Sequence, residues 1–247
     1  MARRALYLLF IIAFNNMLSP GCTVKEDRGL CPAVLKINLP PGDGEVCVSL
    51  VNPEGERVTH TVVLQDVPSV AGYPVCRDPF ILLVSTGRFE EGGLLVPEGQ
   101  QCPELYVHRE MVHVSGETVE VQAVLEKEFC RLEVSVVSQF SEPDMSISGD
   151  WCGQELDGAL VSGRFRTPVA SGGVVRVPRQ GDSSLMLDVR NGQVTRSFAI
   201  GEYMAEAGYD WEEASLQDIS IQVDFVRSRI QLRGNAWSQI FPIKIEL

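Results

Sequence analysis

Apolar and polar residues alternate one by one through much of this chain, and that period admits β-strands and little else. Val119, Val121, Ala123 and Leu125 share one parity, with Glu120, Gln122 and Glu126 on the other. Leu132, Val134 and Val136 alternate with Glu133 and Ser135; Ile219, Ile221, Val223 and Phe225 alternate with Ser220, Gln222 and Asp224. Successive side chains of a strand point to opposite faces, so each run describes a ribbon with one apolar side. Further strands are expected over 34–39, 46–51, 58–64, 80–85, 185–189 and 194–200, and Phe241, Ile243 and Ile245 close the chain in the same way.

Turn residues separate these runs: Pro40-Pro41-Gly42-Asp43-Gly44, Asn52-Pro53-Glu54-Gly55, Glu91-Gly92-Gly93, Ser115-Gly116 and Asn191-Gly192. The last is a type I′ hairpin signal between two strand runs. A helix is expected only over 202–207, closed by Gly208. Many short strands at regular spacing predict an all-β chain, and the length suits two tandem β-sandwich domains. The expected boundary lies at Glu126-Lys127-Glu128-Phe129-Cys130, giving sandwiches over 32–128 and 129–247.

The N-terminus carries a different message. Arg3 and Arg4 precede ten apolar residues, Ala5 to Phe14. That is a charged segment followed by the short apolar core of a signal peptide. A spanning helix needs about 20 apolar residues. The following Leu18-Ser19-Pro20-Gly21-Cys22 resembles the lipobox of bacterial lipoproteins, in which the cysteine sulfur is lipidated and becomes the mature N-terminus. Ser19 stands where the usual pattern has an aliphatic residue, with Leu18 one position further out. The expectation is a signal peptide over 1–21, lipidation at Cys22 and a tether over 22–31. A plain secretory signal is the alternative. A multiply acylated cysteine holds a protein on a membrane without crossing it.

The chain is acidic, with a formal net charge of −12, and loss of Arg3 and Arg4 makes it more so. An acidic surface without a basic cluster disfavours nucleic acid as a partner. Beyond Cys22 there are six further cysteines: Cys31, Cys47, Cys76, Cys102, Cys130 and Cys152. None forms a C-x-x-C pair, so zinc ribbons and thioredoxin-like motifs have no support. They admit either disulfides, which an oxidising envelope allows, or buried thiols packing as small hydrophobes.

No catalytic set emerges. His60 falls on a strand's polar face; His108 and His113, five apart, would face opposite ways on one strand, which is poor metal geometry. A G-x-S-x-G elbow, a Walker loop and a G-x-G-x-x-G are absent from the sequence. Trp151, Trp211 and Trp237 suit a core or rim role, or stacking on sugars. The reading is a non-enzyme without cofactor or metal.

Short stretches go beyond generic β pattern. Cys22-Thr-Val-Lys-Glu-Asp-Arg-Gly-Leu-Cys31-Pro32 resembles the mature start of the FimB-type fimbrial anchor family, fimbrillin-associated outer-membrane lipoproteins. Leu105-Tyr106-Val107, Val114-Ser-Gly-Glu117 and Leu125-Glu-Lys127-Glu-Phe129 resemble the end of that family's first domain. The closest likeness runs through Val177-Pro178-Arg179-Gln180, Ser184-Leu185-Met186-Leu187, Phe198-Ala-Ile-Gly201-Glu202-Tyr203, Gly208-Tyr209-Asp210-Trp211, Leu216-Gln-Asp218-Ile219 and Asp224-Phe225, with Trp237 near the end. The first domain is shorter than the family's.

The resemblance implies transthyretin-like sandwiches. It implies a lipid-anchored subunit that holds the base of a fimbrium to the outer membrane, limits fibre length, and joins fimbrillin by exchange of β-strands. A surface lipoprotein acting as a tip adhesin or glycan-binding module is the alternative. The segment Ile240 to Leu247 either completes its own domain or borders the docking groove.

Overall fold

The computed structural model describes residues 32–243 except 88, 90–92, 138–142, 171 and 192. The expected signal segment, Cys22, Cys31, the last four residues, and the Glu91-Gly92 and Gly192 turn positions lie outside the described residues. The expected all-β architecture holds: the described residues form four sheets and one short helix.

The first strands are β1 (Ala33–Leu39), β2 (Glu45–Val51), β3 (Arg57–Val63), β4 (Ser69–Val75), β5 (Phe80–Ser85), β6 (Leu94–Leu95), β7 (Tyr106–Val112), β8 (Thr118–Gln122) and β9 (Glu126–Lys127). They build a sheet ordered β4-β1-β8 and another ordered β3-β2-β5-β7-β9. Between them lie Leu35, Ile37, Val46, Val48, Leu82 and Val84, all fully buried. Burying such a side chain contributes about 1.5–3 kcal/mol.

The chain continues as β10 (Phe129–Val137), β11 (Asp144–Gln154), β12 (Leu160–Val169), β13 (Gly173–Pro178), β14 (Met186–Asn191) and β15 (Val194–Phe198). Helix α1 (Ile200–Glu206) follows, then β16 (Ile219–Asp224), β17 (Arg229–Arg233) and β18 (Ser238–Pro242). The sheets are β13-β10-β16-β17-β18 and β12-β11-β14-β15, with β6 joined to β11. Their core includes Leu132, Val134, Ile147, Phe165 and Leu187, each fully buried.

The alternation seen in the sequence is the burial pattern of the strands. Leu132 and Val134 of β10, and Ile219, Ile221 and Val223 of β16, all face inward. Phe198 closes the expected 194–200 strand early, and α1 starts at Ile200, two residues ahead of expectation. Gly201 is the reason: its N–H donates to the Leu185 carbonyl, and a Cβ there would lie 2.3 Å from the Ser183 carbonyl oxygen. The expected C-terminal glycine is in place. Gly208 has φ +82°; its N–H donates to the Ala205 carbonyl and that of Tyr209 to Met204, a Schellman closure.

Strands β1 to β8 and β10 to β16 trace one topology twice. In each half the first strand is central, antiparallel to the fourth (β4 or β13) and parallel to the last (β8 or β16). The facing sheet runs β3-β2-β5-β7 in one half and β12-β11-β14-β15 in the other. Registers match as well: Leu35 pairs Val119 and Ile37 pairs Val121, as Leu132 pairs Ile219 and Val134 pairs Ile221.

Among the described residues Cys47, Cys76, Cys102, Cys130 and Cys152 are free thiols. Burial pushes the Cys102 and Cys130 thiols up to about 12, from an ordinary value of 9.0. They are therefore packing groups at neutral pH. Unfolding returns them to the ordinary value, so above about pH 9 the unfolded chain loses protons that the folded chain keeps, and stability falls as pH climbs toward 12. Two results are expected. Denaturant midpoints should drop across that window in the native chain and less so in a Cys102→Ala/Cys130→Ala variant. Peptide mapping after brief alkylation at pH 8 should label exposed Cys76 and leave Cys102 and Cys130 unmodified until denaturant is added.

Candidate functional site

The sequence-singled residues do not converge. Cys22 lies outside the described residues. His60 stacks on Tyr73 with ring centroids 4.6 Å apart. His108 sits on β7 with its Nδ1 accepting the Val124 N–H at 3.3 Å, while His113 follows the strand. Trp211 and Trp237 are half-buried against the second core, and Trp151 packs on Gly181. No group of three or more His, Cys, Asp or Glu is placed to hold a metal among the described residues.

What the fold does bring together is a junction between the two cores. The connection from β5 to β7 leaves its own sheet: Leu94 and Leu95 pair with Gln154 and Gly153, and Val96 N–H donates to the Cys152 carbonyl. It returns through Gly99 and Cys102, whose N–H groups donate to the Arg166 and Arg176 carbonyls at 2.7 and 3.1 Å. Leu83, Phe89, Val96, Leu105, Val107 and Phe129 form a small apolar cluster beneath this strap. Gly153 is required here, because a Cβ would lie 2.0 Å from the Leu94 carbonyl oxygen.

Beside that cluster runs a buried polar chain. Glu128 is the residue between β9 and β10. Its carboxylate accepts from Arg179 Nε at 2.7 Å and from Gln154 Nε2 at 2.7 Å. Arg179 also donates to the carbonyls of Trp211, Glu213 and Ala214. Gln154 Oε1 in turn accepts from Arg109 of β7 at 3.4 Å, and Arg109 Nε donates to the Leu156 carbonyl at 2.8 Å. Burial pulls the Arg109 guanidinium below its usual range, opposed by the nearby Glu128 and Asp157 carboxylates. Neither the pair 51 residues apart nor the strap is visible in local sequence pattern. A cleft of about 230 Å³ opens over these groups. At its floor the Glu128 carboxylate is held by Arg179 and Gln154.

The other functional feature is the set of sheet edges, because an unpaired edge is a template for another chain's strand. The edges are β4 and β8, β3 and β9, β13 and β18, and β12 and β15. Pro74 in β4, Pro168 in β12 and Pro242 in β18 each remove a donor from their strand. The β13 and β12 edges receive N–H groups of the strap at Arg176 and Arg166. β18 completes its own sheet: it pairs β17 over five positions, and Phe241 lies in the core against Tyr203 at 5.4 Å. The edge of β8 is polar-faced, with Thr118, Glu120 and Gln122 exposed.

No protein-family model matches the chain, and no curated protein matches it. Among solved structures, the fold is similar to the fimbrial anchor protein Mfa2 from Porphyromonas gingivalis: TM-score 0.59, 10% identity, covering 84% of this chain and 99% of that one. It is also similar to a candidate adhesin from Bacteroides thetaiotaomicron, with TM-score 0.58, 14% identity and coverage of 87% and 99%. Candidate polysaccharide-binding proteins from the same organism give TM-score 0.59 at 8% identity, covering 85% and 98%.

Removing one partner of the joint strands a buried charge, which costs about 3–5 kcal/mol. Arg179→Met should lower the denaturant midpoint accordingly. Glu128→Gln with Arg179→Met should recover part of that loss, since neither charge then remains unpaired. Additive losses in this double-mutant cycle would contradict a coupled pair.

Proposed function

We propose that this chain is a lipid-anchored fimbrial subunit that attaches the base of a fimbrium to the outer membrane and limits its length. Cys22 carries the lipid, residues 22–31 are the tether, and 32–128 and 129–247 are its two transthyretin-like sandwiches. Fimbrillin joins it by strand exchange. The observation that carries this reading is fold similarity to a fimbrial anchor over 84% of this chain and 99% of that one. The signal-like N-terminus ending at Gly21-Cys22 supports it independently, because anchoring requires a membrane attachment.

A second reading is a surface adhesin or glycan-binding module, favoured by the likeness to candidate adhesins and polysaccharide-binding proteins. The tryptophans give that reading little: Trp211 and Trp237 face the second core.

Cys22→Ala separates the two. Under the anchor reading, cells carrying it should release fimbrillin into the medium, and deletion of the protein should lengthen the fibres seen by electron microscopy. Fimbrillin retained on the outer membrane in the variant would dismiss anchoring and favour the adhesin.

A further inference from the structure

The two halves share one topology, and they part company at one equivalent edge. In the second half the outer edge of β16 carries β17, antiparallel, with Ser220 opposite Arg233, Ile221 opposite Leu232 and Gln222 opposite Gln231. In the first half the equivalent strand, β8, pairs with β1 alone among the described residues. By the matched registers, Val119-Glu120-Val121-Gln122 stands where Ile219-Ser220-Ile221-Gln222 stands in the second half.

The difference is visible in burial. Ile219 is 2% exposed, whereas Val119 at the same place is only partly buried at the margin of the first core, and Val124 just beyond β8 is 56% exposed. The bonds to β1 use the odd-numbered residues of β8: Val34 N–H donates to the Glu117 carbonyl and Ala123 N–H to Asn38. Successive peptide groups of a strand point to opposite edges, so the N–H and C=O groups of Thr118, Glu120 and Gln122 point outward. These are the groups a further strand needs.

Strand β17 shows what such a strand looks like. It turns Ile230 and Leu232 inward and Arg229, Gln231 and Arg233 outward, and Arg229 Nε lies 3.4 Å from the Asp224 carboxylate of β16. β8 places Glu120 at the centre of its outward face, at the position matched by Ser220, which in the second half stands opposite Arg233. The present partner of Glu120, Lys36, is exposed and 3.5 Å away, a contact readily exchanged.

Building on the strand-exchange reading above, we propose that the fimbrillin strand docks on the outer edge of β8, antiparallel to it, with a basic side chain opposite Glu120 and an apolar one opposite Val121. The occupant repeats for the first half what β17 does for the second.

Site-specific photo-crosslinking in fimbriated cells tests this. p-Benzoylphenylalanine is placed at positions 118, 120 or 122 of the full-length chain, and at position 61 on β3, 195 on β15 and 239 on β18 for comparison. Variants matching the native protein in membrane level and protease resistance are irradiated. The expected result is a fimbrillin adduct from the β8 positions and none from the other edges, with Glu120→Lys lowering retained fimbrillin several-fold. Adducts only from another edge, with fibres still lost on Cys22→Ala, would overturn docking at β8 and leave anchoring intact. An adduct at position 120 with a second copy of this chain would overturn the choice of partner. No fimbrillin adduct anywhere, together with fibres retained in Cys22→Ala, would remove the anchor reading along with its docking edge.

Discussion

The joint between Glu128 and Arg179 fixes how the two halves of this chain face one another. Apolar contacts are non-directional and tolerate sliding. The cluster around Leu105 and Phe129 could therefore glue the halves together without defining their angle. A buried ion pair is costly unless every lone pair and proton is satisfied. Here the carboxylate takes two donors at 2.7 Å and the guanidinium reaches three further carbonyls. Such a set closes in one geometry only. Gln154 and Arg109 extend it from β11 back to β7, so the joint ties the central strand of one sheet to a strand of the other half.

Around that joint the molecule is a repeat with two departures, and both have a structural purpose. The β14–β15 connection passes directly from Asn191 to Val194, whereas the β5–β7 connection travels out to the second half and back. The detour adds β6 to β11 and places one N–H on each of the β12 and β13 edges, Gly99 at Arg166 and Cys102 at Arg176. The other departure is the β17–β18 hairpin, which occupies the outer edge of β16. Edges that would otherwise be templates for aggregation are thereby covered from within the chain.

The sequence discloses the parts of this fold that local periodicity governs. Leu132, Val134, Ile219 and Ile221 alternate cleanly, and they face the core. β11 escapes such reading although it is the longest strand, because register shifts fall between Gly149 and Trp151 and again between Trp151 and Gly153. Each shift breaks the period-two pattern that would have revealed it. The glycines there answer to neighbours distant in sequence: a Cβ on Gly149 would meet the Gln180 amide oxygen at 2.5 Å. In β12 the Arg164-Phe165-Arg166 alternation marks Phe165 as inward, but nothing local marks the equally buried Thr167, and Pro168 interrupts the run. The joint and the open edge are illegible for a deeper reason. Both are relations between segments, and only the order of strands in the sheets reveals that, among the described residues, β8 lacks what β16 has.

That asymmetry bears on fibre length. A subunit inside a polymer must join neighbours at two places, one to receive and one to give. On the anchoring reading, this chain is held at its N-terminus, directly before β1. β1 bonds β4 over seven positions and β8 over five. Tension on the tether would run along β1 and load those bonds together in shear, and a strand docked on β8 would take up the load one strand away. The equivalent edge in the second half is already filled by β17 and β18. Of the two matched edges, only that of β8 is unfilled among the described residues, and a subunit that used that edge alone to join fimbrillin would end the fibre where it stands. On that reading anchoring and length control would follow from one feature: a repeat whose described residues complete the β16 edge in its second half and not the β8 edge in its first.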